Sequence, residues 1–179
     1  MTVTIVCDIL GEPNNGTTIA TLNLINYLKE RGHTVYVVCG DKDKRGIDGY
    51  YILPELSLGR FLNKVVERNG VSLAKADKRI LTEAIEKADV VQIQFPFGIG
   101  QAAVKIAVRM HKPVTASFHC QAENFTAHLF MINNALANKI TYEVFYHKLY
   151  KYCDCIHYPT SFIRGLFEKT TRKTNGFVI

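Results

Sequence analysis

Residues 90–118, VVQIQFPFGIGQAAVKIAVRMHKPVTASF, carry the clearest signal of how this chain folds. The apolar run Val90–Phe95 predicts a strand that ends at Pro96. Ile99–His111 then has the apolar spacing of a helix, and Pro113–Phe118 predicts a second strand. Two strands joined by a helix in this way are expected to run parallel, with a right-handed crossover between them.

The same alternation of strand and helix extends along the rest of the chain. Further strands are predicted at Val3–Cys7, Thr34–Cys39, Tyr50–Leu53, Cys155–Tyr158 and Phe177–Ile179. Further helices are predicted at Thr17–Arg31, around Leu58–Val66 and Ile80–Ala88, at Asn124–Tyr152 and at Ser161–Lys169. These elements predict an α/β protein with a doubly wound, mostly parallel sheet, forming a single Rossmann-like domain over residues 1–179.

The composition is that of a globular protein. The chain has 179 residues, of which 47% are hydrophobic, and no run approaches the roughly 20 apolar residues that span a bilayer. The first apolar run follows no basic leader, so a cytoplasmic location is expected. The formal net charge of +6 favours anionic partners without choosing among them. Nucleic acid is not expected as a partner, because the basic residues are dispersed and no recognised module is present.

The five cysteines give no sign of a metal site or a disulfide framework. Cys153 and Cys155 are two apart, with no second pair to complete a zinc site. The cysteines are therefore expected to be small buried hydrophobic residues. No metal ligands are predicted.

In an open parallel sheet, ligands bind beyond the carboxyl ends of the strands. The first loop there contains Gly11 and Gly16 and leads into a helix through Thr17. Backbone N–H groups at that helix start favour a phosphate, but Thr17 stands where a P-loop has its lysine. The dinucleotide fingerprint is absent, and Asp41 after the second strand is weak evidence for a ribose site when it stands alone.

The loop after Phe118 is the most informative of these strand ends. It places His119, Gln121, Glu123 and Asn124 directly after a predicted core strand, where polar groups usually face a site. His119 is expected to donate to a sugar hydroxyl or to a phosphate. No catalytic triad is apparent, and a zinc site built from His119 and His128 would lack further ligands.

The predicted helix at Asn124–Tyr152 is rich in aromatic residues and lysines. Its members are Lys139, Tyr142, Phe145, Tyr146, Lys148, Tyr150, Lys151 and Tyr152. This mixture is typical of a membrane interface, with aromatic rings at the headgroup level and lysines at anionic lipid. It is equally typical of a core helix with a solvated edge, and the sequence leaves both interpretations open.

Several short segments, in this order, resemble the N-terminal domain of retaining, two-Rossmann-domain glycosyltransferases of the GT-B type, family 4-like. They are Asn15-Gly16, Leu28–Val35, Ala88–Val91, Pro113–Thr115 leading to His119, and Pro159–Ser161. The resemblance covers essentially the whole chain. Gln92 and Gln94 depart from it, because members often carry histidines there, which puts any proton transfer at those positions in doubt.

The resemblance implies roles for individual residues. It implies a nucleoside-diphosphate sugar as co-substrate, no covalently bound cofactor and no metal. His119 would be the catalytic histidine that contacts the donor sugar. The loop formed by Asn15, Gly16 and Thr17 would approach the donor diphosphate or the acceptor. The acceptor-binding candidates are Gln94, Gln121, Glu123, Asn124 and His128.

The resemblance also implies that the chain is one half of an enzyme that transfers a hexose to an acceptor hydroxyl with retention. The nucleotide-sugar domain, its expected partner, would follow Ile179, and the isolated domain would be inactive. The stretch 119–128 is similar to diacylglycerol glucosyltransferases, which implies a glycolipid acceptor and peripheral contact with the anionic inner face of the membrane. The alternatives are a stand-alone subunit or binding module that pairs with a catalytic chain, or, less favoured, a nucleotide-binding oxidoreductase.

Overall fold

A sheet of seven parallel strands forms the centre of the molecule, with the order β3-β2-β1-β4-β5-β6-β7. The computed structural model describes residues 1–8, 10, 16–56, 74–127 and 134–179. The strands are β1 Thr2–Val6, β2 Thr34–Cys39, β3 Tyr50–Ile52, β4 Val90–Ile93, β5 Val114–Ser117, β6 Cys155–Tyr158 and β7 Gly176–Val178. The doubly wound parallel sheet predicted from the sequence is confirmed.

Six α-helices are seen in the described parts of the chain. They are α1 Gly16–Glu30, α2 Lys78–Glu86, α3 Gly98–Arg109, α4 Ala122–Ala127, α5 Ala135–Lys148 and α6 Ser161–Thr170. Short 3-10 turns occupy Lys42–Lys44 and Tyr150–Tyr152. None of the described helices is long and apolar enough to cross a membrane.

The prediction of one long helix at Asn124–Tyr152 was wrong. Asn134 has extended backbone geometry, and its side chain accepts a hydrogen bond of 3.0 Å from the Ala137 amide, so a new helix begins after it. The preceding helix, α4, is described from Ala122 to Ala127. The helix predicted around Leu58–Val66 lies outside the described residues.

The strand order places a topological switch point between β1 and β4. From β1 the chain moves to β2 and β3 on one side, and from β4 it moves to β5, β6 and β7 on the other. Ligands of doubly wound sheets bind at the carboxyl ends of the strands beside such a point.

The two faces of the sheet are covered by different helices. On one face, Ile25 of α1 packs with Val3, Ile5 and Val37. On the other, buried residues of α2, α3, α5 and α6 form a larger core with the remaining strand residues. Side chains alternate between these faces along each strand, so neighbouring residues of a strand belong to different cores.

Phe118 lies at the centre of an aromatic cluster in the larger core. Its ring centroid is 4.8 Å from that of Phe167, 5.1 Å from that of Tyr150 and 5.2 Å from that of Tyr158. The side chain is 2% exposed. The cluster therefore fixes the end of β5 immediately before His119.

Candidate functional site at the strand ends

The carboxyl ends of the parallel strands bring polar residues from distant parts of the sequence to one edge. Asp8 follows β1, Asp41 follows β2, Gln94 follows β4 and His119 follows β5. The ladder extends slightly past the strands, because the Gln94 amide donates to the Val6 carbonyl at 3.0 Å and the Phe118 amide donates to the His157 carbonyl at 2.9 Å.

Of the predicted site residues, His119 and Gln94 are in direct contact. His119 Nε2 lies 3.1 Å from Gln94 Oε1, which can only accept, so His119 donates from Nε2 and leaves Nδ1 as an acceptor. Gln94 is 1% exposed, and its Nε2 has no hydrogen-bond partner among the described residues. Exchanging the amide oxygen and nitrogen would only move the vacancy to the other atom, so one polar atom of this amide is unpaired in either orientation.

Burial holds the imidazole of His119 neutral. Desolvation, with a smaller contribution from the neighbouring His157, lowers the pKa of His119 from 6.5 to about 4. At neutral pH the ring can therefore donate and accept hydrogen bonds, but it carries no positive charge toward a phosphate.

The two glutamines of β4 differ in their bonding. Gln92 Nε2 donates to Ser117 Oγ at 3.0 Å, and Thr115 Oγ1 donates to Gln92 Oε1. Gln92 is thus paired within the sheet. Gln94, on the same face two residues later, keeps free hydrogen-bonding capacity at the strand end.

Three buried side-chain atoms in the described parts of the chain lack a hydrogen-bond partner: Asp8 Oδ2, Gln94 Nε2 and His157 Nε2. Asp8 and Gln94 follow the carboxyl ends of β1 and β4, and His157 lies near the carboxyl end of β6, next to the edge strand β7. Buried polar groups in folded proteins are almost always paired with protein groups or with ordered water, so these three atoms mark the polar part of the candidate site.

The two aspartates at this edge have different roles. Asp41 Oδ2 accepts a hydrogen bond of 2.6 Å from the Leu10 amide and so fixes the loop after β1, which gives it a structural function. Asp8 is 5% exposed, and desolvation raises its pKa from 3.8 to about 7. Because the folded-state pKa is the higher one, the stability that depends on protonated Asp8 is complete below 3.8 and is lost as the pH rises through about 7.

The sequence analysis did not predict Asp8 or His157 as candidate site residues. Asp8 follows a fully apolar run, Ile5 to Cys7, and an acid in that position was the available signal. His157 alternates with buried Ile156 and Tyr158 within β6, and nothing in that pattern distinguishes it from a solvated residue.

The predicted phosphate loop is partly described. Asn15 lies outside the described residues, while Gly16 and Thr17 form the first turn of α1, which contains no acidic residue. A Cβ atom added at Gly16 would meet nothing within 4 Å. Among the described residues, space is left beside Gly16 at this end of the helix, where the dipole is positive.

Of the predicted acceptor-binding residues after His119, the structure describes the side chains of Glu123 and Gln121. Glu123 Oε2 accepts a hydrogen bond of 2.6 Å from the Tyr142 hydroxyl and so links α4 to α5. Gln121 precedes α4 and is half-buried. Asn124 lies within α4, but its side chain and all of His128 are outside the described part of the structure.

Three of the aromatic residues that suggested a membrane interface are core residues, whereas Tyr152 is 39% exposed. Tyr142, Phe145 and Tyr150 are each at most 3% exposed. The exposed face of α5 carries an aliphatic stripe, spaced four residues apart, of Leu136, Ile140 and Val144. Exposed Lys139 and Lys148 lie on the same helix.

Residues 14–174 match the family model described as Glycosyltransferase Family 4, and the chain belongs to this family. This range includes every site residue predicted from the sequence, from Asn15 to His128. No curated protein matched the chain by sequence.

Two solved structures share the fold. The S. aureus MnaA–UDP co-structure is 13% identical to the chain, with a TM-score of 0.55; the alignment covers 99% of this chain and 43% of that one. A protein described as a UDP-N-acetylglucosamine 2-epimerase from Listeria monocytogenes is 14% identical, with a TM-score of 0.52, and the coverage is 94% and 41%. The chain thus spans less than half the length of either protein.

Proposed function

We propose that this chain is the acceptor-side domain of a glycosyltransferase that moves a hexose from a nucleoside-diphosphate sugar to an acceptor hydroxyl with retention. Family membership supports the reaction class. The observation that best supports a sugar site at the carboxyl ends of the strands is the set of buried side-chain atoms without a partner, in Asp8, Gln94 and His157. Sugar hydroxyls both donate and accept, so they can complete all three.

His119 is the residue we assign to the chemistry. Its neutral ring would donate from one nitrogen and accept at the other, holding a sugar hydroxyl while Gln94 fixes the ring. It would position the sugar and add no charge. Stabilisation of the departing diphosphate would then come from other groups, and the positive end of the α1 dipole at Gly16 is one candidate in this chain.

The nucleotide would be held mainly by a second domain of the same enzyme. The chain covers 43% of the UDP-bound neighbour, which leaves room for such a domain in a protein of that size. On this proposal the isolated chain does not catalyse transfer. The reaction needs no nucleophile from this domain, because the work of the site is positioning.

Replacing His119 with alanine in the full-length gene product should lower kcat/KM for hexose transfer by about 100-fold or more, the scale seen when one positioned hydrogen-bonding group is removed from an active site. The assay measures transfer from a panel of UDP- and GDP-sugars, with the anomeric configuration of the product read by NMR. His33→Ala is the matched control. His33 precedes β2 at the opposite edge of the sheet, so this variant should keep full activity.

The assay also separates the alternative functions. Hexose transfer that depends on a second polypeptide would favour a subunit that pairs with a catalytic chain. Epimerisation of the sugar nucleotide without an acceptor, or full activity of His119→Ala, would contradict the proposal.

We further propose a cytoplasmic protein that contacts the anionic inner face of the membrane, with a glycolipid as acceptor. The support is the aliphatic stripe of Leu136 and Ile140, which are 66% and 55% exposed, with Lys139 and Lys148 nearby on α5. Apolar side chains next to lysines are typical of helices that lie in the membrane interface.

Substituting serine for both Leu136 and Ile140 should weaken binding to vesicles of phosphatidylglycerol and phosphatidylcholine by about 100-fold or more, because each buried aliphatic side chain contributes roughly 1.5–3 kcal/mol and about 1.4 kcal/mol is a tenfold change in affinity. Co-sedimentation measures the effect. Ile19→Ser on α1, where the side chain is 44% exposed, is the control. Equal binding by all three proteins would exclude α5 as the membrane contact.

A further inference from the structure

His119 has polar neighbours from the strands on both sides of β5, on the same face of the sheet. On the β6 side, Ser117 pairs with His157 in the parallel ladder, and the Phe118 amide donates to the His157 carbonyl at 2.9 Å. Side chains alternate along a strand, so His119, two residues after Ser117, shares the face of His157. On the β4 side, Gln94 Oε1 lies 3.1 Å from His119 Nε2.

The contact with Gln94 determines which nitrogen of His119 carries the hydrogen. Gln94 Oε1 can only accept, so the hydrogen is on Nε2 and Nδ1 keeps its lone pair. The amide is uncharged, so it favours this tautomer without favouring the imidazolium ion. A carboxylate in the same place would favour the charged ring.

His157 acts on the charge of His119. Two imidazolium ions on neighbouring strands repel each other, so a proton on one ring disfavours a proton on the other. Burial is the larger cause of the lowered pKa of His119, about 4 instead of 6.5, and His157 is the second cause. His157 Nε2 is buried without a partner in the described parts of the chain, so no described carboxylate neutralises a charge at that atom.

The remaining titratable groups of the neighbouring elements do not give His119 an anionic partner. Burial raises the pKa of the adjacent Cys120 thiol to about 12, and Cys155 lies two residues before His157 on β6. Glu123 on α4 is bonded to a tyrosine hydroxyl of α5, and the first turn of α1 contains no acidic residue. Asp8 lies on the opposite face of the sheet, because Val6 pairs with Ile93 and the side chains alternate.

We propose that Gln94 and His157 are positioning residues that keep the ring of His119 neutral, with its hydrogen on Nε2 and its Nδ1 available to accept from a substrate hydroxyl. The proposal rests on the proposed function and deepens it, because it assigns to His157 a role that acts through His119. Gln94 sets the tautomer, and His157 opposes the charge.

The test is a pH titration of the histidine side chains of the 179-residue chain by ¹H–¹⁵N NMR, with His119→Ala used to identify the His119 signals. In the wild type we expect the ¹⁵N shifts of a neutral ring protonated at Nε2, retained down to about pH 5, because the pKa lies near 4. In His157→Gln the pKa of His119 should rise toward 6.5, since one of the two causes that lower it is removed. His157→Asn, with a smaller side chain, should give the same direction.

Gln94→Met tests the tautomer separately. Methionine is similar in length and has no oxygen to accept from His119, so the hydrogen should no longer be confined to Nε2 and the two ¹⁵N shifts should move toward each other. An unchanged tautomer in Gln94→Met, or a wild-type ring protonated at Nδ1, would overturn the role of Gln94.

His147→Gln is the matched control for His157→Gln. His147 lies on α5, where its Nε2 is 3.4 Å from Glu143, and its loss should leave the titration of His119 unchanged. Thermal midpoints show which variants fold. An identical titration of His119 in the wild type and in both folded His157 variants, or an equal change in His147→Gln, would contradict the role of His157.

The transfer assay gives a second readout that a merely structural residue would not move. In the full-length gene product, the ratio of kcat/KM at pH 5 to that at pH 8 should be about half the wild-type ratio in His157→Gln, as expected for a rise of about one in that pKa. His147→Gln should keep the wild-type ratio.

The two proposals fail in different ways. If hexose is transferred but neither the NMR titration nor the pH ratio changes in His157→Gln, the role of His157 is wrong and the proposed function stands. If no transfer occurs but the NMR changes are seen, Gln94 and His157 control the ring of His119 and the transferase proposal fails.

Discussion

Replacing Phe118 with alanine is expected to lower the free energy of unfolding by about 3–5 kcal/mol, the range for removing a large aromatic side chain from a packed core. The ring is 2% exposed and contacts the rings of Tyr142, Tyr150, Tyr158 and Phe167. No single neighbour can close the resulting cavity, because the partners come from four different elements. Urea denaturation of the 179-residue chain measures the change.

Phe162→Ala is the matched control for this measurement. Phe162 is 75% exposed on α6, so its loss should change stability by less than about 0.5 kcal/mol. A loss of less than about 1 kcal/mol for Phe118→Ala would mean that the cluster is loosely packed or that its parts rearrange to fill the space.

Gly100→Ala is expected to destabilise the chain by about 3 kcal/mol, at the upper end for overpacking a core. An added Cβ would collide with the Phe95 carbonyl oxygen and would lie 2.9 Å from Ile93 Cγ2 and 3.1 Å from Leu149 Cδ1. The first of these is backbone and cannot rotate away. Either α3 or the end of β4 must therefore move, and Gln94 belongs to that strand end.

Gly98→Ala tests the same substitution two residues earlier in α3. A Cβ atom there would meet nothing within 4 Å, and the backbone of Gly98 is not in the left-handed region. Alanine should leave the stability unchanged or raise it by up to about 1 kcal/mol. Thermal and urea denaturation of both variants measure the contrast, and equal stability of the two would contradict the close packing of α3 on β4.

The alternation of apolar runs was sufficient to predict the sheet, since every predicted strand from Val3–Cys7 to Phe177–Ile179 corresponds to a strand within about two residues. The end of one helix and the start of the next at Asn134 were missed. Apolar residues continue across 124–152 at helical spacing, and an asparagine cap is a weaker signal than that periodicity.

Site residues were harder to predict because pairing is a tertiary property. Gln92 and Gln94 look equivalent in the sequence, but Thr115 and Ser117 on the next strand hydrogen-bond only the first. The environment of Tyr142 could not be predicted for the same reason, because a tyrosine side chain is compatible with both a membrane interface and a protein core. Its burial depends on Phe118 and Phe167, which come from other elements.

The unpaired atoms of Asp8, Gln94 and His157 also affect how the sequence of this domain can evolve. Each is a buried polar atom without a protein partner among the described residues, and burying such an atom costs about 1–3 kcal/mol relative to a paired one. Selection for stability alone would favour apolar replacements at these positions. Random stabilising variants of this domain should therefore concentrate at the strand ends, and on the proposed function they would weaken binding of the sugar.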